Sequence, residues 1–490
     1  MLNSSHPQSE QANLELLNAG GRSRLRVPGG RGLGRDPGGT PQAPTHPSAV
    51  WEERMRRLAR RVGRLVAIAV LAWGSVGHAQ PTIPKQQIPP DIPAEVKQRI
   101  EGLYSSDAKQ RARAAMGLLG GPEEVAPAIP FLIAMLHDDA VLHADAELQR
   151  LSMVSSYARV FSFPNTPGEQ AAETLARIAG RPGRPMVDAL IVCLGDKNWI
   201  VRANGTRALG EMLWKMTPED RQSATKGTHA LESLVKALED GQPKVRQYAA
   251  VVLRQLADPR AVPPLIAALK HDQSWEIREA AAAALAAIKD PRAVETLIAA
   301  LENPQERAEV RVNAAEALGK TGDLRAVEPL TRALKDQDWQ IRRAALSVAD
   351  VVRDPRVLRP LLLDALQDKE WRVRESAAGR AVTLGKLKDP AVLELLTAAL
   401  HDGHPNVRAG ATRSLAELKD PRAVAPLAGT LREDENSYVR WHAAMALEQL
   451  EDPRAVGPLT AALKDEDELV RTAARRALEK IKKATQSRQI

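Results

Sequence analysis

The chain has 490 residues, 44 % hydrophobic and 27 % charged, with aromatics at 3 %, one cysteine and a net charge of +8. Alanine and leucine dominate, which favours closely packed helices over a sandwich or barrel, and a single thiol excludes an intramolecular disulfide or a thiolate zinc site. The charge would suit a nucleic-acid binder, but residues 1–79 hold eleven Lys/Arg against five Asp/Glu, and from Gln80 onward 58 basic residues face 56 acidic ones. Neither a basic block nor an aromatic stacking platform remains, so no nucleic-acid role is expected.

Residues 1–54 are rich in Gly, Pro, Arg, Ser and Gln and show no period, a composition expected to stay disordered. Met55 then opens a run with arginines at 56, 57, 60, 61 and 64, an apolar stretch over 65–76, and Gly77 and Ala79 around His78. A charged start, a short apolar core and a small-residue end have the form of a secretory signal peptide. The apolar part is well short of the ~20 residues that span a bilayer, so no stable membrane span is expected. Segment 55–79 is read as the signal peptide, Met55 as the translated start and 1–54 as an over-extended reading frame. Two arginine pairs leave the Sec and twin-arginine routes both open, and the protein would be periplasmic or extracellular. Residues 80–93 read as a Pro-rich extended linker.

Over 94–180 a repeat is only faintly visible: Gln110-Arg111 with Ala114 and Leu118 resembles one second helix, and Gln170 to Ile178 another. Between them His137, Asp138, Asp139, His143, Asp145 and Glu147 interrupt the period. Asp139, His143 and Glu147 would share a helix face and could hold a transition metal; with no second His at i+4, a charged solvated turn is the preferred reading. Cys193, in the apolar run DALIVCL, reads as a buried structural thiol.

From 181 to 482 the repeat is regular. Asp-Pro or its equivalent recurs at Asp258, Asp290, Asp323, Asp354, Asp389, Asp420 and Asp452. Asp is a good N-cap and proline at the next position loses no hydrogen bond, so a first helix starts there. A further proline at 264, 329, 360, 426 and 458 is expected to bend it. A second helix is marked by Arg202, Arg246, Arg278, Arg311, Arg342, Arg374, Arg408, Arg440 and Arg471, each preceded by Val or Ile. Alanine (glycine at 205) stands three residues later and Leu or Ala seven later, which places all three positions on one helical face. Hairpins this short cannot bury that face alone and must stack. Residues 483–490 read as a tail.

An arginine at the centre of an apolar face needs a partner. Six residues earlier stand Asp196, Asp240, Asp272, Asp336, Asp368, Asp402, Asp434 and Asp465, with Gln305 before Arg311. A structural Asp–Arg ladder along the turns is the expectation, tying each repeat to itself and to its neighbour. Trp199, Trp275, Trp339 and Trp371, each three residues before the arginine, read as packing elements. One and five residues after the arginines the side chains vary: Glu279, Glu316, Arg343, Glu375, Arg413, Trp441, Met445 and Arg476. Identical scaffolds with changing exposed side chains make recognition surfaces; Trp441 would suit an interface hot spot if exposed, and packing against the neighbouring helix is the equal alternative.

The repeat resembles the HEAT-like repeats of the phycobilin-lyase type; DPRAVGPLTAALKDEDELVRTAARRAL (452–478) follows their pattern almost throughout. The resemblance implies an all-α fold, a right-handed α-α superhelix of about ten to eleven helix pairs with degenerate N-terminal ones, its second helices lining the concave side. Two enzyme readings accompany it. Bilin lyases handle a cytoplasmic pigment pathway that an exported chain would not meet. Deoxyhypusine-hydroxylase-like proteins use His-Glu dipeptides as iron ligands, and none of the ten histidines here is followed by Glu. The expectation is a scaffold that binds a protein or peptide on its concave surface, with no cofactor and no catalytic residues; an enzyme or cofactor-handling protein is the alternative.

Overall fold

The computed structural model describes residues 83–487 except 91, 119–125, 139–165 and 179–183. Segments 1–54 and 55–79, and the Asp139, His143 and Glu147 cluster, lie outside the described residues. Those described belong to one compact unit, and every regular element among them is a helix.

Among the described residues eleven helix pairs follow one another. The first four are α1 (Ala94–Gly102) with α2 (Ala108–Gly117), α3 (Ile129–Ala134) with α4 (Pro167–Ile178), α5 (Arg184–Cys193) with α6 (Trp199–Lys215), and, after an additional helix α7 (Pro218–Thr225), α8 (Ala230–Ala237) with α9 (Pro243–Leu256). Next come α10 (Val262–His271) with α11 (Trp275–Ile288), α12 (Val294–Glu302) with α13 (Ala308–Thr321), and α14 (Val327–Ala333) with α15 (Trp339–Ala345), whose last turn is 3-10. Then α16 (Pro355–Leu366) pairs with α17 (Trp371–Arg380) and the short α18 (Val382–Lys386), and α19 (Ala391–Ala399) with α20 (Pro405–Leu418). The last pairs are α21 (Val424–Glu433) with α22 (Ser437–Leu450) and α23 (Val456–Ala462) with α24 (Glu468–Ser487), which carries helix past residue 482 into the expected tail. Each second helix packs on its own first helix and on the second helices before and after it. The molecule is thus an α-α superhelix.

The reason is visible at each step. Val245, Ile277, Val310, Val407 and Val439, with Ala249, Ala281, Ala314, Ala411 and Ala443, are fully buried between neighbouring second helices, where small side chains permit close approach. Gly205 takes the alanine position in α6 because a Cβ there would lie 2.6 Å from the Cys193 Cβ. Cys193 itself is buried, its thiol donating to the Ala189 carbonyl at 3.4 Å. Burial, reinforced by Asp196, pushes that thiol up to about 12.

Two expectations are corrected. In four repeats the second proline does not bend a formed helix: Asp258, Asp323, Asp420 and Asp452 each cap a 3-10 turn, and Pro264, Pro329, Pro426 and Pro458 stand in the first α turn that follows it. A proline there removes an N–H that the change of helix type leaves unpaired in any case; in the fifth repeat Pro360 does lie inside α16. The segment after Gln80 is also more than a tether. Ile83 and Ile88 are buried in the core of the first pair, and Tyr104 donates its hydroxyl to the Ile83 carbonyl at 2.5 Å. Their apolar side chains cover a face of the first pair for which no earlier helix is described.

Candidate binding groove

The ladder arginines are built alike, and not quite as the sequence suggested. Arg246 sends Nη1 to the carbonyl of Asp240, six residues back, at 2.8 Å. Its Nε and Nη2 fork onto the carboxylate of Asp272, in the following repeat, at 2.7 and 3.0 Å. Arg202 grips Asp240 in the same way, Arg342 grips Asp368, Arg374 Asp402, Arg408 Asp434 and Arg440 Asp465. The tie within a repeat therefore runs through main-chain carbonyls, and the tie between repeats through the carboxylate. Each such Asp also accepts the N–H two residues on, as Asp240 does from Gln242 at 2.9 Å.

The gap at Gln305 consequently falls one repeat earlier than the sequence implied. Arg278 turns to Glu306 at 2.7 Å, whereas Arg311 reaches Asp336 at 2.6 Å and the Leu301 carbonyl. Arg471, in the last pair, holds the Asp465 and Glu466 carbonyls. Sequence reading placed Arg111 on a second helix but left it out of the ladder; its guanidinium is buried against Asp138 at 2.6 Å. Their 27-residue separation matches the later steps, a signal usable only once the carboxylate is assigned to the following turn.

Protonation follows this wiring. Burial alone would raise Asp240, Asp368, Asp402 and Asp465, but the guanidinium and N–H donors outweigh it and hold all four below the ordinary carboxylate range. Asp196 is the exception. Gln170 occupies the arginine position in α4, no guanidinium among the described residues forks onto Asp196, and burial pushes its carboxyl up despite the Asn198 N–H and Arg202.

The tryptophans form a second line at the helix starts. Arg307 lies 5.1 Å from the Trp275 ring, Arg372 lies 5.0 and 4.5 Å from Trp339 and Trp371, and Trp371 stacks on His404 at 4.0 Å. Trp199, which has Gln242 at the matching position, stays partly exposed.

Of the eight variable positions, Glu316, Arg343, Glu375 and Arg413 come together in one groove of about 580 Å³ formed by α13, α15, α17 and α20. Its floor is made of Ser347, Ser376, Gly379, Gly410 and Ser414. Glu279 lies outside it, bonded to Asn313 at 3.3 Å, its carboxyl raised by burial and by Glu309. Arg476 pairs with Glu448. Met445 is half-buried against the core rather than exposed, and Trp441 takes the packing alternative beside it: Tyr438 stacks on Trp441 at 6.1 Å and takes the outer position. A second cavity of about 1170 Å³ lies beside α7. There Arg221 is committed to the carbonyls of Leu213 and Gln255 at 2.9 and 2.6 Å, so it serves to cap two helix ends.

With repeat, ladder and groove in view, the chain can be placed. A family model described as HEAT repeats matches residues 231–309, 305–382, 360–441 and 430–489, together more than half of the chain, and the protein belongs to that family. No curated protein matches it. Among solved structures it is similar to human deoxyhypusine hydroxylase in complex with glycerol (25 % identity over 52 % of this chain and 96 % of that one, TM-score 0.25). It is also similar to the CpcE–CpcF complex of phycocyanin lyase from Nostoc sp. PCC7120 (22 %, 60 % and 94 %, TM-score 0.30). A third likeness is to Kap95p in complex with RanGDP (14 %, 89 % and 65 %, TM-score 0.45). No helix among the described residues is long and apolar enough to cross a membrane.

Proposed function

We propose that this protein is a non-enzymatic scaffold that binds an extended segment of a partner protein in the groove spanning α13 to α20. The observation that carries the reading is a contrast in commitment. Along the turns the arginines are satisfied by carboxylates and carbonyls, whereas in the groove Glu316, Lys320 and Arg343 make no ion pair or hydrogen bond among the described residues, above a floor of serine and glycine. Second helices pack about 10 Å apart, so four of them offer a track for roughly ten residues of extended chain.

The test uses a random library of peptides of about that length, blocked at both ends. Gly379→Trp fills the groove at a position where an added Cβ meets no atom within 4 Å. Peptides selected on the full chain should lose binding to this variant while its melting curve is unchanged. Selected peptides that bind both proteins equally would refute the reading. Export is part of the same proposal and rests on the 55–79 segment: N-terminal sequencing of the protein from its native cell should begin at Gln80, and a mature chain that retains 55–79 contradicts it.

A further inference from the structure

We infer that the groove selects its partner segment by a carboxylate, and that Arg343 is the residue that takes it; this rests on the binding role proposed above. Four arginines line the groove, and three are committed. Arg413 reaches Glu375 at 3.3 Å, Arg380 reaches Asp350 at 2.5 Å, and Arg372 reaches Glu370 at 2.8 Å while lying against two tryptophan rings. Arg343 alone among them keeps its donors. Its neighbour Arg342 is held by Asp368 through the ladder, so the two guanidinium groups diverge, and Arg343 is exposed.

The floor beside it is unfinished in the same sense. Ser347 donates to the Ala315 carbonyl at 2.8 Å, but the Ser376 and Ser414 hydroxyls have no partner among the described residues. Ser414 is only 4 % exposed. Hydroxyls that open onto a groove and have no protein partner are polar groups to which a bound main chain can hydrogen-bond. Gly379 leaves open space where other repeats carry a side chain, so a backbone can lie close to the helix. A planar guanidinium above such a floor suits a carboxylate, which it can bind in bidentate fashion.

The acidic residues of the groove decide between sources of negative charge. Glu316, Asp350, Glu375 and Glu417 all line it. A phosphodiester chain, charged at every unit, would meet them repeatedly; a polypeptide can bring one carboxylate to Arg343 and neutral or basic residues elsewhere.

Peptides selected on the full chain, with blocked ends, are compared with copies in which each Asp or Glu is replaced by Asn or Gln. The expected result is enrichment in acidic residues, with one replacement weakening binding about tenfold or more. Arg343→Gln should produce the same loss with no further loss when both changes are combined, and Arg343→Lys should recover part of it. Peptides that lose binding to Gly379→Trp yet ignore both the acid replacements and Arg343→Gln overturn the carboxylate inference and leave the groove reading standing. Binding that Gly379→Trp does not affect, or no selected peptide at all, overturns both. A single-stranded RNA oligomer that displaces the peptides through Arg343 also overturns the inference, because the groove would then be reading phosphate.

Discussion

The pairs before and after α9 are held together differently. From α9 onward almost every step carries the same device: a guanidinium bound to its own turn and forked onto the next. In the earlier pairs Arg111 and Arg202 carry the device as well, Gln170 interrupts it, and further charges move inward. Arg111 and Asp138 are wholly buried, Glu169 meets Lys244 at 2.5 Å, Arg207 meets Glu211 at 2.8 Å, and Asp196 receives no fork. Repetition lets one side chain per repeat serve two interfaces at the turns and leaves the second-helix faces available for other use. Where the repeat degenerates, those faces fill with charge pairs of their own, and the groove lies where the ladder is continuous.

Breaking one regular step should have the largest effect. Arg408→Ala leaves Asp434 buried without its partner, and a loss of about 3–5 kcal/mol is expected by chemical denaturation. The melting curve should show the array dividing near α20 and α22, since neighbours carry the stability of a repeat protein.

A paired substitution sharpens the comparison. Asp240→Asn removes the forked acceptor of Arg202 and should cost about 2–3 kcal/mol at neutral pH. Asp196→Asn should leave the midpoint unchanged or raise it, because burial already opposes the charge there. The pH dependences have opposite sign. Asp240 is held below its unfolded value, so its contribution is present above about pH 4 and lost as pH falls through its folded value. Asp196 is held above its unfolded value, so its ionisation costs stability as pH rises, and the advantage of Asn should vanish in acid. Equal pH profiles for the two variants would refute the assignment of forks.

Glycines give the next contrast. Gly205→Ala places a methyl group against the Cys193 Cβ and should cost about 1–3 kcal/mol, whereas Gly379→Ala meets open space and should gain up to about 1 kcal/mol from helix propensity. The smallest effect belongs to the exposed Arg260–Asp258 pair: Arg260→Ala should leave the midpoint unmoved.

Much of this was legible in the sequence, and for a physical reason. Offsets of −1, +3 and +7 report burial on a helix directly, so the second helices and their arginines could be read position by position. The Asp six residues before each arginine was also visible, but its partner was not, because sequence proximity favours the arginine nearby over the one in the preceding repeat. Trp441 stayed undecided between exposure and packing for a related reason: a helical offset takes no account of Tyr438 three residues earlier. The groove was half-legible. Glu316, Arg343, Glu375 and Arg413 stood out as variable positions, whereas Ser376, Gly379 and Ser414 looked like ordinary small residues. Their significance lies in what surrounds them, and that a sequence does not display.

Hydrogen–deuterium exchange of the full chain with and without a selected peptide tests the central claim most directly. Binding should slow exchange over 308–321, 339–350, 371–380 and 405–418 and leave the first helices of the same repeats unchanged. Protection confined to first helices, to the turns of the ladder, or to the pairs before α9 would contradict it.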